Sequence, residues 1–186
     1  MGTRHLTIVE LNKEIKVAQY GQWDGNPLGQ GEIILKFILE YLIKNEYLEE
    51  FKDILKDYKF LSEEERDKIY NSNWKSEYPQ LSRDIGAEIL NLIFEDKIPE
   101  VLINSINFAG DSLFCEWAYL LDLDNEVLEI YRGFNKEELS KENRFYDIPL
   151  DHNEYRQVKL WKKFEFGELS KNTMEKLEQE WEKEDE

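Results

Sequence analysis

The chain has 186 residues, with 41 acidic against 24 basic side chains and a net charge of −17. That length fits one domain, residues 1–186, with a substantial core, and that charge opposes phosphate backbones, so neither DNA nor RNA is an expected partner. A single cysteine, Cys115, excludes an internal disulfide; no apolar run approaches the roughly 20 residues of a membrane span, so a cytoplasmic protein without a membrane partner is expected.

RHLTIVEL and EIKVAQYGQW are rich in β-formers and meet at Asn12–Lys13, which predicts an N-terminal hairpin. Leu6, Ile8 and Glu10 fall on one face of its first strand, with His5, Thr7 and Val9 on the other. In the second strand Ile15, Val17 and Gln19 alternate with Lys16, Ala18 and Tyr20. A glycine-rich loop follows, and then Ile33, Ile34, Phe37, Ile38, Tyr41 and Leu42 recur at helical spacing, predicting a helix over 31–44. A second amphipathic helix is expected at 46–57. Ser62 with Glu65 reads as a capping box, NSNWKSEYP as a loop, and Ser82 as the N-cap of a helix over 83–95.

The second half changes period. SLFCEWAYLLDLD and EVLEIYRGF are strand-like and turn through Asp124–Asn125. Phe114, Glu116, Ala118 and Leu120 share one face there, and Cys115, Trp117, Tyr119 and Leu121 the other. NKEELSKEN is a polar loop or a single helical turn, QVKLWKKFEF a further strand, and 170–186 a charged helix. Two groups of strands with intervening helices define an α+β fold: an antiparallel sheet built from the N-terminal and central hairpins, with helices packed against it.

Chemistry is sparse. His5 and His152 are the only histidines, and no Cys cluster or HExxH spacing exists, so neither a metal nor another cofactor is assigned. DLDNE is better explained as a turn than as a cation loop, GQGEI is only a weak GxG, and nothing forms a nucleophile elbow. No catalytic residue is therefore named. What stands out is a set of polar and aromatic residues beside glycines: Arg4, Gln22, Trp23, Asp24, Arg83, Asp84, Glu116 and Trp117. Each alone has a local account, Asp24–Gly25 as a turn pair and Asp84 as a helix-start acid. Together they exceed what turns require, and Gly86 inside a helical pattern signals a close approach by a backbone or a ligand.

The segments MGTRHLTIV, KVAQYGQWDGNPLGQG, LSRDIGAEIL and DSLFCEWAYLLDLDNEVLEIYRGFN resemble an uncharacterised family met in phages, bacteria and, more distantly, fungi. That resemblance implies that the four segments form one module and that the chain is phage-encoded. The opening MGTR, the hairpin and the following QWD are also similar in layout to N-terminal-nucleophile hydrolases, whose free α-amine is the base. Position 2 departs from that pattern, because Gly2 offers no side chain as nucleophile.

Three function classes result. The first is a binder of a small polar or anionic molecule, in which Arg4, Arg83 and the helix start supply donors and Trp23 or Trp117 a stacking face; with a phage origin, it would sequester a host nucleotide signal. The second is an enzyme using Asp24, Asp111 or Glu116 for acid–base work. The third is an acidic interaction module. The binder is preferred, with the QWDG and SRDIG segments expected in one concave site and homo-oligomerisation left open.

Overall fold

The structure, a computed structural model, describes residues 2–151 and 154–184. His152 and the last two residues of the expected C-terminal helix lie outside the described residues.

Strands β1 (His5–Leu11) and β2 (Glu14–Gly21) form the predicted hairpin. Its turn residues Asn12 and Lys13 take φ of 55° and 60°, the mirror-image turn whose twist matches flanking strands. Helix α1 (Glu32–Lys36) is extended on both sides by π-helical turns, Pro27–Gly31 and Phe37–Lys44, so this helical stretch starts four residues before the expected one. Helix α2 (Leu48–Ile54) and a short strand β3 (Lys59–Phe60) follow. The Ser62–Glu65 capping box is present and starts α3 (Glu63–Tyr70). The stretch read as a loop contains one helical turn, α4 (Trp74–Glu77). After it come α5 (Ile89–Phe94), β4 (Val101–Leu102), which pairs with β3, and the second hairpin of β5 (Trp117–Asp122) and β6 (Val127–Arg132). Strand β7 (Lys159–Glu165) and helix α6 (Thr173–Glu184) complete the described chain.

The main sheet has the order β2-β1-β5-β6-β7 and is mostly antiparallel. Its centre is the exception: β1 and β5 run parallel, which joins the two hairpins. Both sheet faces are covered. Val9, Val17, Tyr119, Leu121, Leu128 and Ile130 meet Phe37, Ile38, Phe51, Ile89 and Met174 from the helices. On the other face Leu6, Ile8, Ala118, Leu120 and Tyr131 lie under Ala109, Phe145 and Val158 from irregular segments. Burying one such aliphatic side chain stabilises the fold by about 1.5–3 kcal/mol.

Three local expectations change. Val9 pairs with Val17 but Glu10 with Ile15, so Lys16 is bulged out. The bulge breaks the alternation: Val17 joins the helical face and Ile15 the opposite one. Cys115 precedes β5 in a turn and packs with Ala118, not with Trp117. Finally, a 3-10 turn at Gly86–Glu88 leads into α5, so helical structure begins three residues later than its N-cap reading and α-helix six. Gly86 takes φ of +52°, and a right-handed helix cannot pass through a left-handed residue. Ser82 caps only a local turn, its Oγ accepting from the Asp84 N–H at 3.3 Å, so Asp84 does not sit on a helix N-terminus.

Candidate functional site

The strand pairing places the motif segments at one end of the sheet. His5 is opposite Gly21 on one side and Trp117 on the other; Trp117 is opposite Arg132, and Arg132 is opposite Lys159. The end of β2, the approach to β1 and the approach to β5 therefore form a common rim.

At its centre His5 is fully buried, and neither ring nitrogen makes a hydrogen bond. Burial lowers its pKa to about 4, opposed by the Thr3 backbone. Glycines make room for this imidazole. A Cβ on Gly21 would stand 2.0 Å from its Cε1, one on Gly25 2.8 Å from its Cβ, and one on Gly86 2.9 Å from its Nε2. The close approach signalled by Gly86 is thus to His5 and to Gln30, whose Oε1 accepts from the Ala87 N–H at 2.8 Å. His5 carried no signal of its own in the sequence. Glycines at 21, 25 and 86 were visible, but their common neighbour is set by contacts across up to 81 positions.

Around this cage the polar residues surface. The Gln22 N–H donates to the Arg83 carbonyl at 3.0 Å, and the Trp23 indole N–H donates to Asp84 at 2.8 Å. QWDG and SRDIG are therefore bonded neighbours. Asp24 is exposed at φ 54°, and its carbonyl accepts from the Gln30 N–H at 2.7 Å, which closes the loop. Trp23 is 45% exposed. Gly2 packs so tightly on it that a Cβ would stand 2.4 Å from its Cε3 and equally close to the Gln22 carbonyl.

Tyr20 feels the charges of both arginines. Its hydroxyl donates to Gln22 Oε1 at 2.6 Å. Burial raises its pKa, and the charges of Arg4 and Arg83 oppose that rise. The Arg4 guanidinium also lies over the Phe114 ring, 4.8 Å from its centre. Glu116 Oε1 accepts from the Arg4 N–H at 3.3 Å; burial pushes its carboxyl up, against the Arg4 N–H and the Arg4 charge. A cavity of about 390 Å3 opens from Tyr20 toward Phe108, Leu150 and Asp151. Neither Asp24 nor Arg83 lines it, so the concave space lies beside the two motif loops rather than between them.

Trp117 stands apart from this group. Its ring is 2% exposed, meets Trp161 and Trp181 edge-on at 5.5 Å, and lies under the Arg132 guanidinium. It offers no open face for stacking, because the odd positions of β5 point into the helical layer. Cys115 is likewise sealed, and burial pushes its thiol up.

Glu10, Asp122 and Asp124 are the cluster of carboxylates, among the described residues, close enough to suit a cation. They are engaged within the protein. Arg144 bonds Glu10 and Asp122, while Asp124 accepts the N–H groups of Asn12 and Lys13 at 3.0 Å each. The DLDNE turn thus ties the two hairpin tips together. No family model, curated protein or solved structure matches this chain. No helix among the described residues is long and apolar enough to cross a membrane.

Proposed function

We propose that the protein binds a small anionic molecule at the Arg4–Tyr20–Arg83 cluster, with Trp23 as its exposed aromatic neighbour. One observation carries this reading: in a chain with 17 excess negative charges, the charges of two arginines act on the same tyrosine. Arg83 has only a long contact to Asp84, at 3.9 Å, and exposed pairs of that kind contribute little. Guanidinium groups held this way suit carboxylate or phosphate oxygens. A flat ring on the same ligand would meet Trp23, and a nucleotide joins both features. Sequestration of a host nucleotide signal by a phage-encoded protein is the sharpest form of this proposal, and it rests additionally on the family resemblance.

Binding is favoured over hydrolysis by the geometry at position 2. The main chain there lies against Trp23 and the Gln22 carbonyl, leaving no room for a nucleophilic side chain. His5 is fully buried, and burial holds the Cys115 thiol neutral, which makes it inert. Among the described residues, Glu116 has the raised carboxyl expected of a general acid.

The test is native mass spectrometry of protein purified from its host, followed by calorimetry with a panel of nucleotides. The expected result is a bound anion that is lost in Arg83→Ala and Arg4→Ala. Apo mass together with no nucleotide binding overturns the proposal.

A further inference from the structure

A second concavity lies on the same rim, at the far side from Arg4. It has a volume of about 470 Å3 and is lined by Arg132, Phe134, Lys136, Lys159, Leu160 and Trp161, within the ~300–1,000 Å3 range of small-molecule sites. Phe134 is the unusual member. Its φ is 53°, a left-handed conformation that glycine or asparagine adopts far more readily than a bulky residue. The backbone is held there by Ser112, whose carbonyl accepts from the Phe134 N–H at 2.6 Å and whose Oγ accepts from the Asn135 N–H at 3.1 Å. Those bonds need no phenyl group. The ring is also 56% exposed, so core packing does not account for it.

The polar lining holds three cations, Arg132, Lys136 and Lys159, beside Asn135 and one carboxylate, Glu137. Arg132 pairs with Glu184, Lys136 with Glu154 and Lys159 with Glu137. The last two pairs are well exposed at both ends, so an incoming anion can take the place of their glutamates without stranding a buried charge. Arg132 stands over Trp161, its guanidinium 5.4 Å from the ring centre. Leu160, 39% exposed, extends the apolar wall.

We infer that this cavity is a ligand site for a small molecule joining a flat ring to an anionic group. The ring lies against Phe134 and Trp161, and the anion meets Lys136 and Lys159. This site is separate from the Arg4–Arg83 cluster and stands whether or not that cluster binds anything.

The test uses anilinonaphthalene sulfonate as a flat anion and phenylnaphthylamine as its neutral counterpart. Both are titrated against the full chain, with energy transfer from tryptophan as readout. The sulfonate is expected to bind about tenfold more tightly than the neutral ring. In Phe134→Gly the melting temperature should hold or rise, because the left-handed residue is relieved, while sulfonate affinity falls about threefold to tenfold. Lys136→Gln combined with Lys159→Gln should remove the preference for the anion and leave the neutral ring's affinity unchanged. Arg83→Ala should leave both affinities unchanged. The inference is overturned by unchanged affinity in Phe134→Gly, by equal binding of the two probes, or by loss of binding in Arg83→Ala.

Discussion

The two ends of the central sheet solve opposite electrostatic problems. At the hairpin-tip end the carboxylates of Glu10, Asp122 and Glu129 converge on Arg144, at 2.7, 2.6 and 2.5 Å, and Lys163 also reaches Glu129. At the rim the groups gathered are two arginines, a tyrosine and a neutral imidazole whose ring nitrogens make no hydrogen bond. Charge at the first end is satisfied internally, as stability requires of buried groups. Charge at the second is held by looser contacts, the Arg83–Asp84 pair at 3.9 Å among them. Arg83 there has a long contact to Asp84, and Arg4 lies over Phe114 with its charge acting on Glu116.

Removing the cation at the closed end should give the largest effect. Arg144→Ala leaves Asp122 and Glu129, both almost fully buried, facing each other's charge, and should cost about 3–5 kcal/mol in urea unfolding at neutral pH. Burial alone would raise both carboxyls. At Asp122 the Asn125 and Arg144 bonds outweigh it, and at Glu129 the Tyr131, Arg144 and Lys163 bonds do, so both titrate below their ordinary values. A depressed carboxyl stabilises above its unfolded pKa, and that stability is lost as pH falls through the folded value. The gap between wild type and Arg144→Ala should therefore narrow below about pH 4. A gap independent of pH would mean that Arg144 acts by packing alone.

At the open end the pH dependence comes from His5. Its folded pKa of about 4 lies below the ordinary 6.5, so the unfolded chain binds the proton first. Stability is intact above pH 6.5 and falls as pH drops from there toward 4, by about 3 kcal/mol in all at 1.36 kcal/mol per pH unit. His5→Gln should flatten that slope, a difference readable by thermal melts between pH 7 and 4.5; an unchanged slope would place the imidazole outside the protein interior.

Gly21→Ala should be intermediate, costing about 1–3 kcal/mol by overpacking against the imidazole. Combined with His5→Ala the cost should largely vanish, and additive losses would separate the glycine from the histidine. The smallest effect is expected from Trp23→Phe, which removes one exposed hydrogen bond and should change stability by about 0.5–1 kcal/mol, while weakening any ligand held by the cluster.

The two ends also differed in how far the sequence disclosed them. Asn12–Lys13 and Asp124–Asn125 are turn signals with local causes, and both hairpins, with the α+β class, follow from them. The capping box at Ser62 is equally local. The parallel joint between β1 and β5 has no such marker, since β1 is buried on both faces whichever direction its neighbour runs. The Lys16 bulge was hidden because it shifts one residue in a pattern read as strict alternation. Gly86 signals a close approach, but the imidazole filling the space comes from a strand 81 positions earlier, and no periodicity encodes it. Trp117 looked available because aromatic residues beside charged ones suit binding sites; burial under Trp161 and Trp181 depends on β7 and α6, both far along the chain.

The parallel joint also sets an order of events during synthesis. Strand β1 has Leu6 and Ile8 toward one layer and Val9 toward the other, and its free edge is taken up only by residues 117–122. Until roughly two thirds of the chain has left the ribosome, the first hairpin has an unpaired apolar edge, the kind of surface that recruits other nascent chains. The Asp124 carboxylate, which bonds the Asn12 and Lys13 amides, then acts as a stop against register slippage: sliding β5 by one residue would break both bonds and turn every side chain of β5 to the wrong layer.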